Sequence, residues 1–240
     1  MVVTIVALLV ASMLYTLSAQ TEQHAREATQ RRLDEARELL ITYAIVNGRL
    51  PCPASTTSNG DEAGAGRACT KYYAGYLPAK AIGFQPTDAS GYALDAWGNR
   101  LRYAVSQFVS AGTTPHFTNA TNLKNNGVGT LPNDLLICAS ATGITTTQPR
   151  NCGAASNSVT NSGVVAGVIW SQGKNYATAG GAAGTDETVD NKTTASNNHA
   201  VFVWHDPRPS GATGGEYDDL LVWIPVGLLY GRMASAGVLP

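Results

Sequence analysis

Apolar and polar positions divide this chain into two regimes. Between residues 1 and 46 neither proline nor glycine interrupts the run, and an unbroken helix of that length would be roughly 70 Å long. Residues 1–19 carry no charged side chain, and their polar members are Thr4, Ser12, Tyr15, Thr16 and Ser18. About 19 such residues are just enough to cross the roughly 30 Å hydrocarbon core of a bilayer. After Gln20 the pattern changes: Glu22, Arg26, Glu27, Arg31, Arg32, Asp34, Glu35, Arg37 and Glu38 are interspersed with Ala25, Ala28, Leu33, Ala36, Leu40, Tyr43 and Ala44. That spacing predicts an amphipathic helix laying one apolar stripe on a folded body. The chain therefore divides into a helix over 1–47, with 1–19 in a membrane or filament core and 20–47 amphipathic, and a head over 48–240. The alternative is a removed signal cut near Leu17, Ser18 and Ala19, leaving a mature chain from about Gln20. The helical pattern continues through that cut without a breaker, which favours a retained helix.

Asn47 and Gly48 stop the helix, and Pro51-Cys52-Pro53 forces an extended turn. Residues 54–69 form a small-residue loop, and 72–86 hold aromatic anchors with room for one helical turn. DAWGNRLRYAV at 95–105 reads as a turn and a half-buried strand: Asp95 caps the turn, Trp97 packs under it, and Leu101, Tyr103 and Val105 alternate with Arg100, Arg102 and Ala104. Short apolar runs follow at 135–140, at 164–175 as helix or strand with a turn at Gln172-Gly173, at 200–206 as a strand stopped by Pro207 and Pro209, and at 220–224. Between them lie stretches read as long surface loops, 110–133 and 141–163, and a lid or loop over 177–198. The tail from 226 is apolar enough to pack on the body. This order predicts an α+β fold, a small antiparallel sheet burying one face against the long helix.

Sixteen basic and seventeen acidic residues leave a net charge of −1, and no long basic patch is visible, which argues against nucleic acid as a partner. The four cysteines, Cys52, Cys69, Cys138 and Cys152, lack C-x-x-C spacing, and the histidines are scattered, so two disulfides in an oxidising compartment are favoured over zinc. Three pairings are open; nearest-neighbour pairing closes loops of about 17 and 14 residues, each worth on the order of 3 kcal/mol.

The apolar MVVTIVALLVASMLYTLSAQ run leading into the amphipathic helix, NGRLPCPA after it and DAWGNRLRYAV as the first hairpin resemble the type IV pilin and type II secretion pseudopilin superfamily of Gram-negative bacteria, and SQGKN and DDLLVWI resemble later elements of larger pilin-like proteins. The resemblance implies a structural subunit of a helical filament, drawn from the inner membrane into a cell-surface pilus or a periplasmic pseudopilus. It also implies a homo-oligomer contacting other pilins, cleavage and methylation by a prepilin peptidase acting on a leader upstream of this sequence, and a role in adhesion or secretion. Ala7, Ala11, Ser12 and Ala19 are small enough for close helix contact in a filament core. The alternatives are a minor pseudopilin and a secreted or periplasmic binding domain behind a removed signal.

A calcium-stabilised loop late in the sheet is a further implication, for which Glu216, Asp218 and Asp219 offer hard oxygen ligands, although the spacing is not that of an EF-hand. His205-Asp206 suggests a hydrolytic pair, but G-x-S-x-G is absent, and Gly60, Gly64 and Gly66 follow no strand and make no phosphate cradle. The chain is read as a non-enzyme without an organic cofactor. Asn119 and Asn191 stand in N-x-T sequons.

Overall fold

The apolar stripe of the amphipathic segment decides how the elements meet. In the computed structural model, residues 2–64, 68–109, 115–179, 184–192 and 199–239 are described, with side chains in the first helix described from Ala19 onward. Helix α1 runs Val2–Asn47 and stops at Gly48, which takes φ +67°. Thr29, Leu33, Ala36, Leu40, Ile41 and Ala44 recur at helical spacing and are buried. They pack on the central strands and on helix α6 (Val226–Ser235) of this same chain. Polar contacts fix the seat: the Thr29 hydroxyl accepts the Ala96 N–H at 3.0 Å, and Arg32 donates to the Leu94 carbonyl at 3.2 Å.

The main sheet holds strands β1 (Gly75–Tyr76), β2 (Arg102–Val105), β4 (Val165–Ser171) and β6 (Leu220–Pro225), antiparallel in the order β1-β2-β4-β6. Its register sets Tyr103 against Ile169 and Ile169 against Val222. A second sheet pairs β3 (Leu136–Cys138) with β5 (Val201–Val203) in parallel. Short helices α2 (Ala79–Ile82), α3 (Ala120–Asn126), α4 (Tyr176–Ala179) and α5 (Thr185–Asp190) complete the described elements with two 3₁₀ turns.

Several expectations are corrected here. The pilin-like arrangement, a membrane spine on one antiparallel sheet, gives way to a mixed α+β fold with two sheets, one of them parallel, because 139–200 crosses over to bring β5 beside β3. Among the described residues no helix is long and apolar enough to cross a membrane, which overturns the transmembrane helix, the inner-membrane stage and the pilus or pseudopilus location built on it. Ala7, Ala11 and Ser12 lie outside the described side chains, and Ala19 is exposed. Strand β2 is buried on both faces, so alternation failed to expose Arg102: its guanidinium lies over the Tyr76 and Trp170 rings and donates to the carbonyls of Ala74 and Lys192. The supposed surface loop at 110–133 contains α3, capped by the Asn119 side chain at 3.0 and 3.2 Å, with His116, Phe117 and Leu123 buried.

Both disulfides join nearest neighbours, Cys52–Cys69 and Cys138–Cys152. The first loop is also held from inside. Arg49 grips Glu62 with two hydrogen bonds of 2.7 and 2.9 Å, the Cys52 N–H donates to the same carboxylate at 3.1 Å, and the Tyr43 hydroxyl donates at 3.0 Å. Burial pushes the Glu62 carboxyl up, but these donors outweigh it and hold it below the usual carboxylate range.

Candidate metal centre

After β4 the chain turns at Gly173, which takes φ +64° and lies so close to Asp218 that any Cβ would collide with that carboxylate. The turn delivers Asn175. Its N–H donates to Asp218 Oδ2 at 2.9 Å, and its side-chain amide donates to both oxygens of Glu187 at 2.9 Å. Glu187 stands in the first turn of α5, whose start is pressed against the 214–216 backbone through the Gly184–Gly215 bridge. The Asp218 N–H closes the arrangement by donating to Glu187 Oε1 at 2.9 Å. Asp218 and Asp219 sit on the segment that enters β6, locked from behind by the buried Tyr217, whose hydroxyl donates to the Val203 carbonyl at 2.8 Å.

One carboxylate oxygen from each of Glu187, Asp218 and Asp219 lies within 4.8 Å of the others, and all three residues are buried. Asp218 Oδ1 and both oxygens of Asp219 are sealed from solvent with no hydrogen-bond partner. These two carboxylates and that of Glu187 cannot all remain ionised in a dry site without a counter-charge. Burial, and then the neighbouring carboxylates, push Asp218 up to about 7 and Asp219 well above its ordinary value. Asp190, at the end of α5, is raised by burial as well, while its oxygens accept the Val203 N–H at 3.1 and 3.2 Å. The neighbouring Lys192 ammonium is spent on the Val189 and Val201 carbonyls, at 3.0 and 2.6 Å. A divalent cation would supply such a counter-charge. The donors are all hard oxygens, which suits calcium or magnesium rather than zinc, and calcium–oxygen bonds of roughly 2.3–2.6 Å put opposite ligands about 5 Å apart, a sphere that accommodates this spacing.

The residues read from sequence are placed unequally. Asp218 and Asp219 come together, whereas Glu216 stays outside the cluster, half-buried on a cleft of about 530 Å³ that Glu22, Lys174, Arg208 and Asp218 also line. Glu187 takes the place of Glu216, from the 177–198 stretch expected to form a lid or loop, and Asn175, just after the Gln172-Gly173 turn, orients it. The signal for Glu187 was the acidic TDETVD run, which cannot be told from a solvated helix end by local pattern alone. His205 does not pair with the Asp206 carboxylate: its Nδ1 meets the Asp206 carbonyl at 2.6 Å and its Nε2 meets Asp186 Oδ2 at 3.2 Å. Asp186 also accepts from Arg208 at 2.8 Å and from the Ala141 N–H at 2.6 Å; burial pushes its carboxyl up, but these bonds prevail and hold it low.

Fold and site together define an α+β domain stapled by two disulfides around a buried carboxylate cluster. No family model, no curated protein and no solved structure matches the chain. The pilin resemblance rested on short motifs, and neither these comparisons nor the described part of α1, a charged helix docked on its own domain, supports it. The filament-subunit reading is withdrawn with it.

Proposed function

We propose that this chain is a secreted or periplasmic binding domain whose late-sheet region is ordered by a calcium ion held by Glu187, Asp218 and Asp219. The observation that carries this reading is the trio of sealed, unpartnered oxygens on Asp218 and Asp219 beside a third buried carboxylate. The two disulfides support an oxidising compartment. Binding rather than catalysis is favoured because His205 is committed to Asp186 within a structural ion-pair group that also contains Arg208. The cation ties α5, the Gly173 turn and the start of β6, three segments whose mutual repulsion would otherwise oppose closure. Thermal unfolding of the full chain in calcium and in EGTA tests this. A calcium concentration of 100 Kd stabilises by about 2.7 kcal/mol, which in a chain of this size raises Tm by roughly 5–10 °C. Equal melting temperatures in the two buffers would refute the cation site.

A further inference from the structure

Strand β6 also lines a cleft of about 440 Å³ that contains none of the clustered carboxylates. Gln30, Asp34 and Arg37 line it from α1, facing Trp204, Trp223 and Pro225. Trp204 is 39 % exposed, unusual for so large an apolar ring. Its ring stands 6.0 Å from that of Trp223 at an interplanar angle of 80°, so the two indoles form a corner with one open face. Both are rigidly placed: the Trp204 N–H donates to the Cys138 carbonyl at 2.8 Å, and Trp223 is paired in register with Val168.

The opposite wall is polar and planar. Gln30 donates to Asp34 Oδ2 at 3.3 Å and Arg37 meets Asp34 Oδ1 at 3.2 Å, which aligns an amide, a carboxylate and a guanidinium along successive turns of one helix. The Nε of Arg37 is sealed from solvent and has no partner. A ligand for this cleft therefore needs an apolar face for an indole and, at right angles to it, groups that both donate to a carboxylate and accept from a guanidinium. We propose that the cleft binds a saccharide, and this deepens the binding-domain reading on which it rests. The axial C–H face of a pyranose stacks on Trp204, while vicinal hydroxyls donate to Asp34 and accept from Arg37. A lipid chain would cover the Asp34–Arg37 pair and take it out of water without offering either group a polar contact. A proline-rich peptide would stack equally well, but its prolines bring no N–H for the carboxylate. The volume lies within the range of small-ligand sites.

Titration calorimetry and tryptophan emission on the full chain, with maltohexaose, cellohexaose and chitohexaose at millimolar concentration in calcium buffer, provide the test. At least one sugar is expected to bind and shift the emission. Trp204→Ala should weaken that binding by about tenfold or more, with Trp204→Phe keeping part of it and Tm unchanged in both. The proposal is overturned if none of the three sugars binds, if Trp204→Ala binds as well as the parent, or if poly-L-proline binds and the sugars do not. A failure of the cation reading is separately visible, because it shows as a melting temperature indifferent to EGTA whatever the sugars do.

Discussion

Asp219 concentrates the energetic problem of this molecule in one side chain. Both of its oxygens are buried without partners, and burial and the charges of Asp190, Glu187 and Asp218 hold its carboxyl well above the ordinary value. Without a cation the group must take up a proton on folding, which costs stability at neutral pH. Asp219→Asn removes that cost and a ligand charge together. Cation-free Asp219→Asn should therefore be more stable than the parent, and the calcium-induced rise in Tm should disappear. Paired unfolding curves in EGTA and calcium check both halves; a variant that still responds fully to calcium would remove Asp219 from the ligand set. The two adjacent aspartates were visible in the sequence as candidate ligands, whereas their companion Glu187 was not. It lies 31 residues from Asp218 in the chain, and only the Gly173 turn and the bridge between Gly184 and Gly215 bring it to the site.

Local elements were legible where the chain itself supplies the signal. The Asp95 turn is an example: its carboxylate accepts the Trp97 and Asn99 N–H groups at 2.9 and 2.8 Å, as an aspartate two residues before Trp-Gly-Asn should. The same carboxylate accepts a 2.6 Å bond from the Ser171 hydroxyl, a contact no local pattern could show. The disulfide loop was legible for a similar reason, since a spacing of 17 residues with prolines on both sides of Cys52 brings Cys69 back within reach. Arg49, just before that loop, pairs with Glu62 inside it and gives the loop a further anchor. Replacing Cys52 and Cys69 together by alanine should still leave a folded protein, destabilised by about 3 kcal/mol and melting several degrees lower. Calorimetry of the double variant measures this; an unchanged Tm would mean that the ion pair alone closes the loop. Helix α3 was missed because polar ATNLKNN carries no apolar period, and its stability comes from the Asn119 cap and the burial of Leu123.

At the scale of the whole molecule, buried titrating groups pull in opposite directions with pH. His116 is buried between Phe117 and Tyr230, 3.0 Å from the Tyr230 hydroxyl, and burial lowers it to about 4. Burial, reinforced by Lys192, lowers His199 to about 3. The unfolded chain therefore binds more protons at these positions between about pH 6.5 and 4, so their contribution is present above that window and is lost as pH falls through it. Asp218, raised to about 7, acts with the opposite sign: in the cation-free protein its protonation favours the native state, a gain fully present below about pH 4 and lost as pH rises from there through 7. Calcium bound at the proposed site would suppress the second effect by holding the carboxylates ionised. In saturating calcium, then, Tm should fall between pH 7 and 5, and His116→Gln should make the fall shallower. A pH series of melting curves decides it; identical slopes for parent and variant would show that His116 does not contribute.

The sequence by itself determined the strand-forming runs, the amphipathic phase of residues 20–47 and two of the three clustered carboxylates, and it favoured nearest-neighbour pairing among the three open to the cysteines. Each is encoded within a few residues or within one short loop. It misled wherever a local pattern has two readings. An apolar lead-in and a few short motifs suggested a filament spine, and an acidic helix end suggested solvent. Tertiary structure alone decided that Arg102, Lys192 and Glu187 are buried, that a parallel pair joins β3 to β5, and that Trp204 meets Trp223 across from α1. These outcomes depend on which distant segments share a low-dielectric interior, and burial there changes the meaning of a charge that the sequence pattern leaves unchanged.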